Sequence, residues 1–214
     1  METISSIKDG SVIMIGGFVM CGTPEILVDA LAEKGAGNLT IISNDAGVPG
    51  RGVGKLIRNG QVKTLITAHV GLNPEVAERM NTSIESDKIE CILVPMGTLA
   101  ERVRAGGAGL GGILTPTGIG TLAAEGKEII KIDGRDFLLE KPLRADFALI
   151  RASKIDKFGN IIYYGTTKNF NPLMAAAADY VIAAACEIVE TGNLDPDTIH
   201  TSGIFIDAII GGEK

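Results

Sequence analysis

The chain has 214 residues, 28 of them glycine, about twice the roughly 7% share of an average protein, while 8 prolines and 45% hydrophobic residues are ordinary for a folded domain. Glycine does not recur at every third position, which excludes a collagen-like fibre. The net charge of −6 and the 4% aromatic content argue against a nucleic-acid partner, which needs a basic face or a stacking platform.

The predicted elements alternate along the chain. Residues 11–15 form a short continuous apolar run, the pattern of a strand covered on both faces. A loop follows over 16–22. Thr23-Pro24-Glu25 opens a helix, with Thr23 as N-cap, Pro24 at the first helical position and an acid in the first turn. That helix stops at Gly35. Residues 39–43 are a second buried strand, 44–52 a loop, and 53–59 a short helix closed by Gly60. Residues 63–68 are a third strand, and Asn73-Pro74-Glu75 opens a helix reaching Asn81. Residues 90–94 are a fourth strand. Thr98 is expected to cap a helix through Arg104, with Glu101 as its capping-box partner. The glycine-dense stretch 106–120 comes next. Strand-like pieces follow at 128–132, 136–139, 146–150, 160–164, 180–185 and 204–210, with a helix at 172–177.

This alternation predicts an α/β fold in one domain, 1–214: an open, mostly parallel sheet flanked by helices. Ligands bind such sheets beyond the carboxyl ends of the strands. The loops 16–22, 44–52, 69–73 and 95–97 are therefore the expected functional rim.

Several motifs fail on context. Gly107-Ala108-Gly109-Leu110-Gly111-Gly112 has the dinucleotide spacing, but a helix precedes it and a strand-like Ile113-Leu114 follows, the reverse of what that motif needs. Gly50-Arg51-Gly52-Val53-Gly54-Lys55 lacks the first glycine and the final Ser/Thr of a phosphate loop. His69 falls on the rim, where a structural hydrogen bond and general-base work are both open readings, the former favoured. His200 has no assigned role. Cys21, Cys91 and Cys186 are scattered, so no metal is expected, and a reducing compartment fits; Cys21 reads as a packed thiol. The first residues show no basic and apolar leader, and the longest apolar stretch is about half a membrane span. The expected location is cytoplasmic, with no membrane partner.

The most informative segment is the first rim loop. Gly16 and Gly17 directly after a buried strand let backbone approach a ligand closely. Phe18, Val19 and Met20 are apolar in an exposed loop, so they are expected to wall a narrow channel or to pack under another subunit, and the two are compatible.

Asp9-Gly10, an apolar strand, and Gly16-Gly17-Phe18-x-x-x-Gly22-x-Pro24 resemble the signature of the alpha subunit of 3-oxoacid CoA-transferases. Ser43-Asn44-Asp45, Gly97-Thr98-Leu99-Ala100-Glu101-Arg102, Thr115-Pro116-Thr117-Gly118-x-Gly120-Thr121 and Asn169-Phe170-Asn171-Pro172 resemble the same family in the same order, over nearly the whole chain. The acetate/butyrate–acetoacetate branch, with two separate chains, is the most similar. The N-terminus looks shorter than in members that carry a helix before Asp9.

The resemblance implies a sugar-phosphate-isomerase-like open α/β fold and a partner beta subunit, usually as α2β2. It implies CoA transfer between an acyl-CoA and a short carboxylate through a glutamyl-CoA thioester, with coenzyme A as substrate and no cofactor. The nucleophilic glutamate belongs to a Ser-Glu-Asn-Gly motif of the partner; Ser83-Ile84-Glu85-Ser86 here is not that motif, so the chain alone is expected to be inactive. The resemblance assigns Gly16, Gly17, Phe18, Val19, Met20, Cys21 and Gly22 to the CoA and acyl pocket. It assigns the Asn44 amide to oxyanion support, against an Asx turn as the plain alternative. Met96 stands where the family usually has glutamine, and methionine has no N–H to donate. Alternatives are a non-catalytic scaffold, a sugar-phosphate isomerase or a CoA-ester hydrolase of the same fold.

Overall fold

The computed structural model describes residues 2–212. In chain order the elements are α1 (Glu2–Ser5), β1 (Val12–Ile15), α2 (Glu25–Lys34), β2 (Leu39–Asp45), α3 (Val53–Arg58), β3 (Val62–His69), α4 (Pro74–Met80), β4 (Glu90–Leu93) and α5 (Met96–Gly107). They continue with β5 (Ile113–Thr115), β6 (Ile129–Ile132), β7 (Arg135–Glu140), β8 (Ala145–Asp156), β9 (Ile161–Ile162), α6 (Asn171–Ala176), β10 (Ala178–Val189) and β11 (Ala208–Gly211).

The main sheet has the order β11-β10-β8-β1-β2-β3-β4, all parallel, with β9 antiparallel on β8. Both faces are buried through the central strands β1, β2 and β8, as the apolar run of β1 predicts, while the edge strand β4 is largely exposed. Ile13, Ile15, Leu39 and Ile41 face a core shared with Leu27, Leu31 and Leu56 of α2 and α3. Met14, Ile42, Ala148 and Ile150 face a second core with Leu99, Val103 and Met174 of α5 and α6. Successive residues of one strand thus feed opposite cores. The strand order reverses at β1, which makes the crevice between β1 and β8 the switch point where open α/β sheets bind ligands.

Four local expectations are corrected. Thr23 does not cap α2; Pro24 occupies that position and no side chain caps the helix. Thr98 does not cap α5, which begins two residues earlier, at Met96. Thr98 lies inside that helix, its buried hydroxyl without a hydrogen-bond partner, and Glu101 instead pairs with Arg104. Asn44 belongs to β2 rather than to a loop. The pieces at 128–132 and 136–139 do not join the main sheet: β5, β7 and β6 form a separate antiparallel sheet in that order. Periodicity identifies a strand but says nothing of which sheet it joins.

Two further differences concern length. β8 and β10 each run for 12 residues, far past the apolar stretches that signal them. Ile15 pairs with Leu149, and β8 continues to Asp156, so β8 and β10 stand above the rim as a wall beside the first loop. The piece at 204–210 is a 3-10 turn, Gly203–Phe205, followed by β11. A one-turn helix, α1, also precedes Asp9.

Candidate active site at the carboxyl ends of the strands

The parallel strands end side by side, so the four predicted rim segments lie on one edge of the sheet. The first is a two-residue hairpin. Phe18 N donates to Cys21 O and Cys21 N to Phe18 O, both at 2.9 Å. The two residues between them take left-handed backbone, Val19 at φ 44° and Met20 at φ 70°. This geometry belongs to Asn-Gly turns; a β-branched residue there is strained.

Buried polar side chains hold the strained turn from both flanks. On the β2 side, Val19 N donates to Asp45 Oδ2 at 2.7 Å. The same oxygen accepts from Asn44 Nδ2 at 2.9 Å, and Asp45 Oδ1 accepts from Gly47 N at 3.0 Å. On the β8 side, Asn171 is fully buried. Its Oδ1 accepts from Arg151 N at 3.0 Å, and its Nδ2 donates to Gly22 O at 3.0 Å and Thr167 O at 2.8 Å. Asn169 Nδ2 donates to Cys21 O at 3.0 Å. Asn171 therefore spans the switch point, and a Cβ on Gly16 would sit on its Oδ1. Glycine at position 16 is a packing requirement.

The turn projects Phe18 and Val19 outward, each 42% exposed. Met20 folds back, its sulfur set against Gly52 in the second rim segment. Cys21 Sγ lies 3.1 Å from Thr166 Oγ1, as a packed, partnered thiol. Gly16, Gly17, Thr23, Asn44, Asp45 and Gly52 line a small pocket beneath the turn. Asn44 is only 2% exposed, and its Oδ1 is buried without a hydrogen-bond partner. The Asx turn weighed for Asn44 is made instead by Asp45, whose Oδ1 takes the N–H two residues on.

The third and fourth segments complete the rim. Asn73, in the tripeptide expected to open α4, caps that helix by accepting from Glu75 N, and its Nδ2 reaches Ala46 O at 3.0 Å, tying the second and third segments together. His69 is exposed, packed over Gly71, and its ring has no hydrogen-bond partner among the described residues. Met96 opens α5 at 50% exposure. Beside it, Gly97 and Thr98 face a groove of about 510 Å³ shared with Leu114 and Thr115 of β5. Away from the rim, His200 Nδ1 accepts from Tyr163 N at 3.0 Å and its ring stacks on Tyr163. Glu85 sits exposed in a 3-10 turn, Glu85–Asp87. Among the described residues no cluster of His, Cys, Asp and Glu is placed to hold a metal ion, and no helix is long and apolar enough to cross a membrane.

Sequence reasoning singled out the first loop and Asn44 but missed Asp45 and Asn171 as the groups that hold them. Both residues sit inside quoted motifs, Ser43-Asn44-Asp45 and Asn169-Phe170-Asn171-Pro172. Nothing local reveals that two stretches more than 120 residues apart close on the same loop.

The geometry defines a class of protein first: an open α/β sheet that presents a rigid loop, rich in main-chain groups and apolar at its tip, over its switch point. The family model described as coenzyme A transferase matches residues 1–212. The chain is 52% identical over 207 residues, 97% of its length and 92% of the relative's, to the acetate CoA-transferase subunit alpha of Escherichia coli strain K12. It is 50% identical over 206 residues, 96% and 93% of the two chains, to the acetoacetyl-CoA:acetate/butyrate CoA transferase alpha subunit of Clostridium acetobutylicum. An acyl-CoA transferase of Escherichia coli O157:H7 shares the fold at a TM-score of 0.83 and 23% identity; 99% of this chain is matched but only 45% of that one, so the chain spans under half that molecule. Glutaconate coenzyme A-transferase of Acidaminococcus fermentans has the same TM-score at 18% identity, with 99% of this chain and 74% of that one covered. This chain belongs to the coenzyme A transferase family.

Proposed function

We propose that the chain is the alpha subunit of a two-chain CoA-transferase. It moves CoA between a short-chain or 3-oxo acyl-CoA and a free short carboxylate, and a beta subunit supplies the nucleophilic glutamate. The observation that carries this reading is the clamped Phe18–Cys21 turn beside Asn44 at the switch point, in a chain half identical to relatives named for that activity. The turn offers apolar Phe18 and Val19 as a wall, and α5 begins at Met96 beside a groove that it shares with β5. The Asn44 amide, anchored by one N–H on Asp45, keeps its second N–H for a developing oxyanion. A donor fixed in a dry site acts strongly because it does not reorganise as charge develops. CoA enters as a substrate, and no resident cofactor or metal is proposed.

The test is reconstitution. Acetoacetyl-CoA with acetate or butyrate should yield CoA transfer only when this chain and a beta-type chain are co-purified, as an α2β2 assembly on a sizing column. Transfer by this chain alone would remove the subunit reading, and an inactive pair would favour a scaffold. Met96→Gln in the active pair restores a side-chain N–H at the start of α5. It should change the rate or the acyl preference by roughly tenfold or more, since a single such donor is worth up to 10²–10³. An unchanged rate together with an unchanged acyl profile would mean that position 96 does not face the acyl group.

A further inference from the structure

We propose that Asp45 is a positioning residue of the transfer site, holding the Phe18–Cys21 turn and the Asn44 amide in one fixed relation. The inference rests on the functional reading above.

The carboxylate is 7% exposed and is met by N–H donors on both oxygens. Oδ2 takes Val19 N and Asn44 Nδ2, and Oδ1 takes Gly47 N. Three separate parts of the rim thus converge on one rigid group: the tip of the first loop, the proposed oxyanion donor and the start of the second loop. The backbone beneath is fixed as well, because Ser43 Oγ donates to Asp45 O at 2.8 Å.

The turn needs such an anchor. Its two central residues are valine and methionine at positive φ, where glycine or asparagine would sit without strain. Strained backbone persists only where its surroundings over-determine it, and it collects at sites that must be preorganised. A turn built only to reverse the chain would take glycine. Here the chain keeps a β-branched apolar side chain at the tip and uses Asp45 to hold it. Charge-assisted bonds to main-chain N–H groups are the stronger kind, so a carboxylate suits this task better than an amide. Asparagine at position 45 would turn an N–H toward one set of donors.

Asp45→Asn is measured in the co-purified complex, beside the wild-type pair. The expected result is kcat about 10²-fold lower with KM for acyl-CoA little changed, as for a misplaced but intact wall and donor. Val19→Gly supplies the control for folding, because glycine adopts this turn without the anchor. Compared with Val19→Gly alone, the double variant should stay folded at the assay temperature, with a melting temperature lowered by the lost Asn44 and Gly47 bonds, and still lose kcat, since the Asn44 amide remains unanchored. Unchanged kcat in folded Asp45→Asn complex would overturn the positioning role while leaving the functional reading intact. So would a kcat in the double variant equal to that of Val19→Gly. An inactive wild-type pair would instead remove the functional reading, and this inference with it.

Discussion

Two glycine-rich regions of this chain look alike in composition and are built on different physics. In the loop around Phe18–Cys21, glycine makes room for polar side chains: Gly16 lies against Asn171 Oδ1 and Gly17 against Thr23 Oγ1. Around residues 106–120, glycine makes room for backbone. A Cβ on Gly106 would sit on the Leu143 carbonyl oxygen, and one on Gly107 would press on Ala176, so the end of α5 packs closely on α6 and on the chain entering β8. Gly109, Gly118 and Gly120 have positive φ and serve turns. The first region is held by neutral amides and one carboxylate aimed at main chain. The second is anchored through Glu140 of β7, only 3% exposed, which pairs with Lys127 at 2.5 Å and Arg102 at 3.8 Å. Burial lowers the Arg102 pKa and the Glu140 charge opposes that shift. Glycine in these two regions therefore has two separate causes, room for buried polar side chains beside the first loop and a close helix junction at the end of α5.

The sharpest way to break the comparison is to fill both crowded glycines. Gly16→Ala and Gly106→Ala should each cost about 3 kcal/mol or more, because neither a bonded asparagine nor a main-chain carbonyl can step aside cheaply. Denaturant unfolding reads the loss. Among folded complexes Gly16→Ala should also lose transfer activity, whereas Gly106→Ala should keep it; equal kinetic damage would show that the two regions act as one.

Removing the anchor of the second region comes next. Glu140→Gln leaves Lys127 and Arg102 without their counter-charge, and because both cations are partly solvated the cost should be about 2 kcal/mol, below that of a fully buried pair. Thermal melts would register it, and a neutral result would mean that the glycine packing alone holds the small sheet. Smaller still is Gly120→Ala, at φ 76° with nothing within 4 Å of the added Cβ. Only backbone strain opposes it, so the expected loss is about 1 kcal/mol. A larger loss would point to packing not visible around that turn.

The weakest effect is a pH dependence away from both regions. His200 has its pKa lowered by desolvation and by the Lys168 charge, and its Nδ1 accepts the Tyr163 N–H only when neutral. The unfolded chain therefore holds the proton more strongly. The stabilisation is complete above the unfolded value near 6.5 and is lost as pH falls toward the lower folded value. Melting temperatures of wild type and His200→Gln across that window should converge at the acid end; parallel curves would contradict the assignment.

Much of the main sheet was legible in the sequence. The run at 11–15 is apolar after its first residue because a strand covered on both faces admits little else, and β1 falls on it, as β2 and β3 fall on the strands read at 39–43 and 63–68. Asn73 announced its helix because an N-cap is a local event. Thr98 misled for the same reason: it has the residue type of a cap, but α5 starts at Met96 and buries it. The small antiparallel sheet was hidden because strand pairing depends on partners distant in sequence.

By itself the sequence determined the fold class and the family and singled out the first loop, because those follow from periodicity and short motifs. Only the tertiary structure decided what holds that loop. Asp45 and Asn171 reach it from β2 and from α6, across 26 and 149 residues of chain, and hydrogen bonds of that range exist only once the sheet has brought its strand ends together.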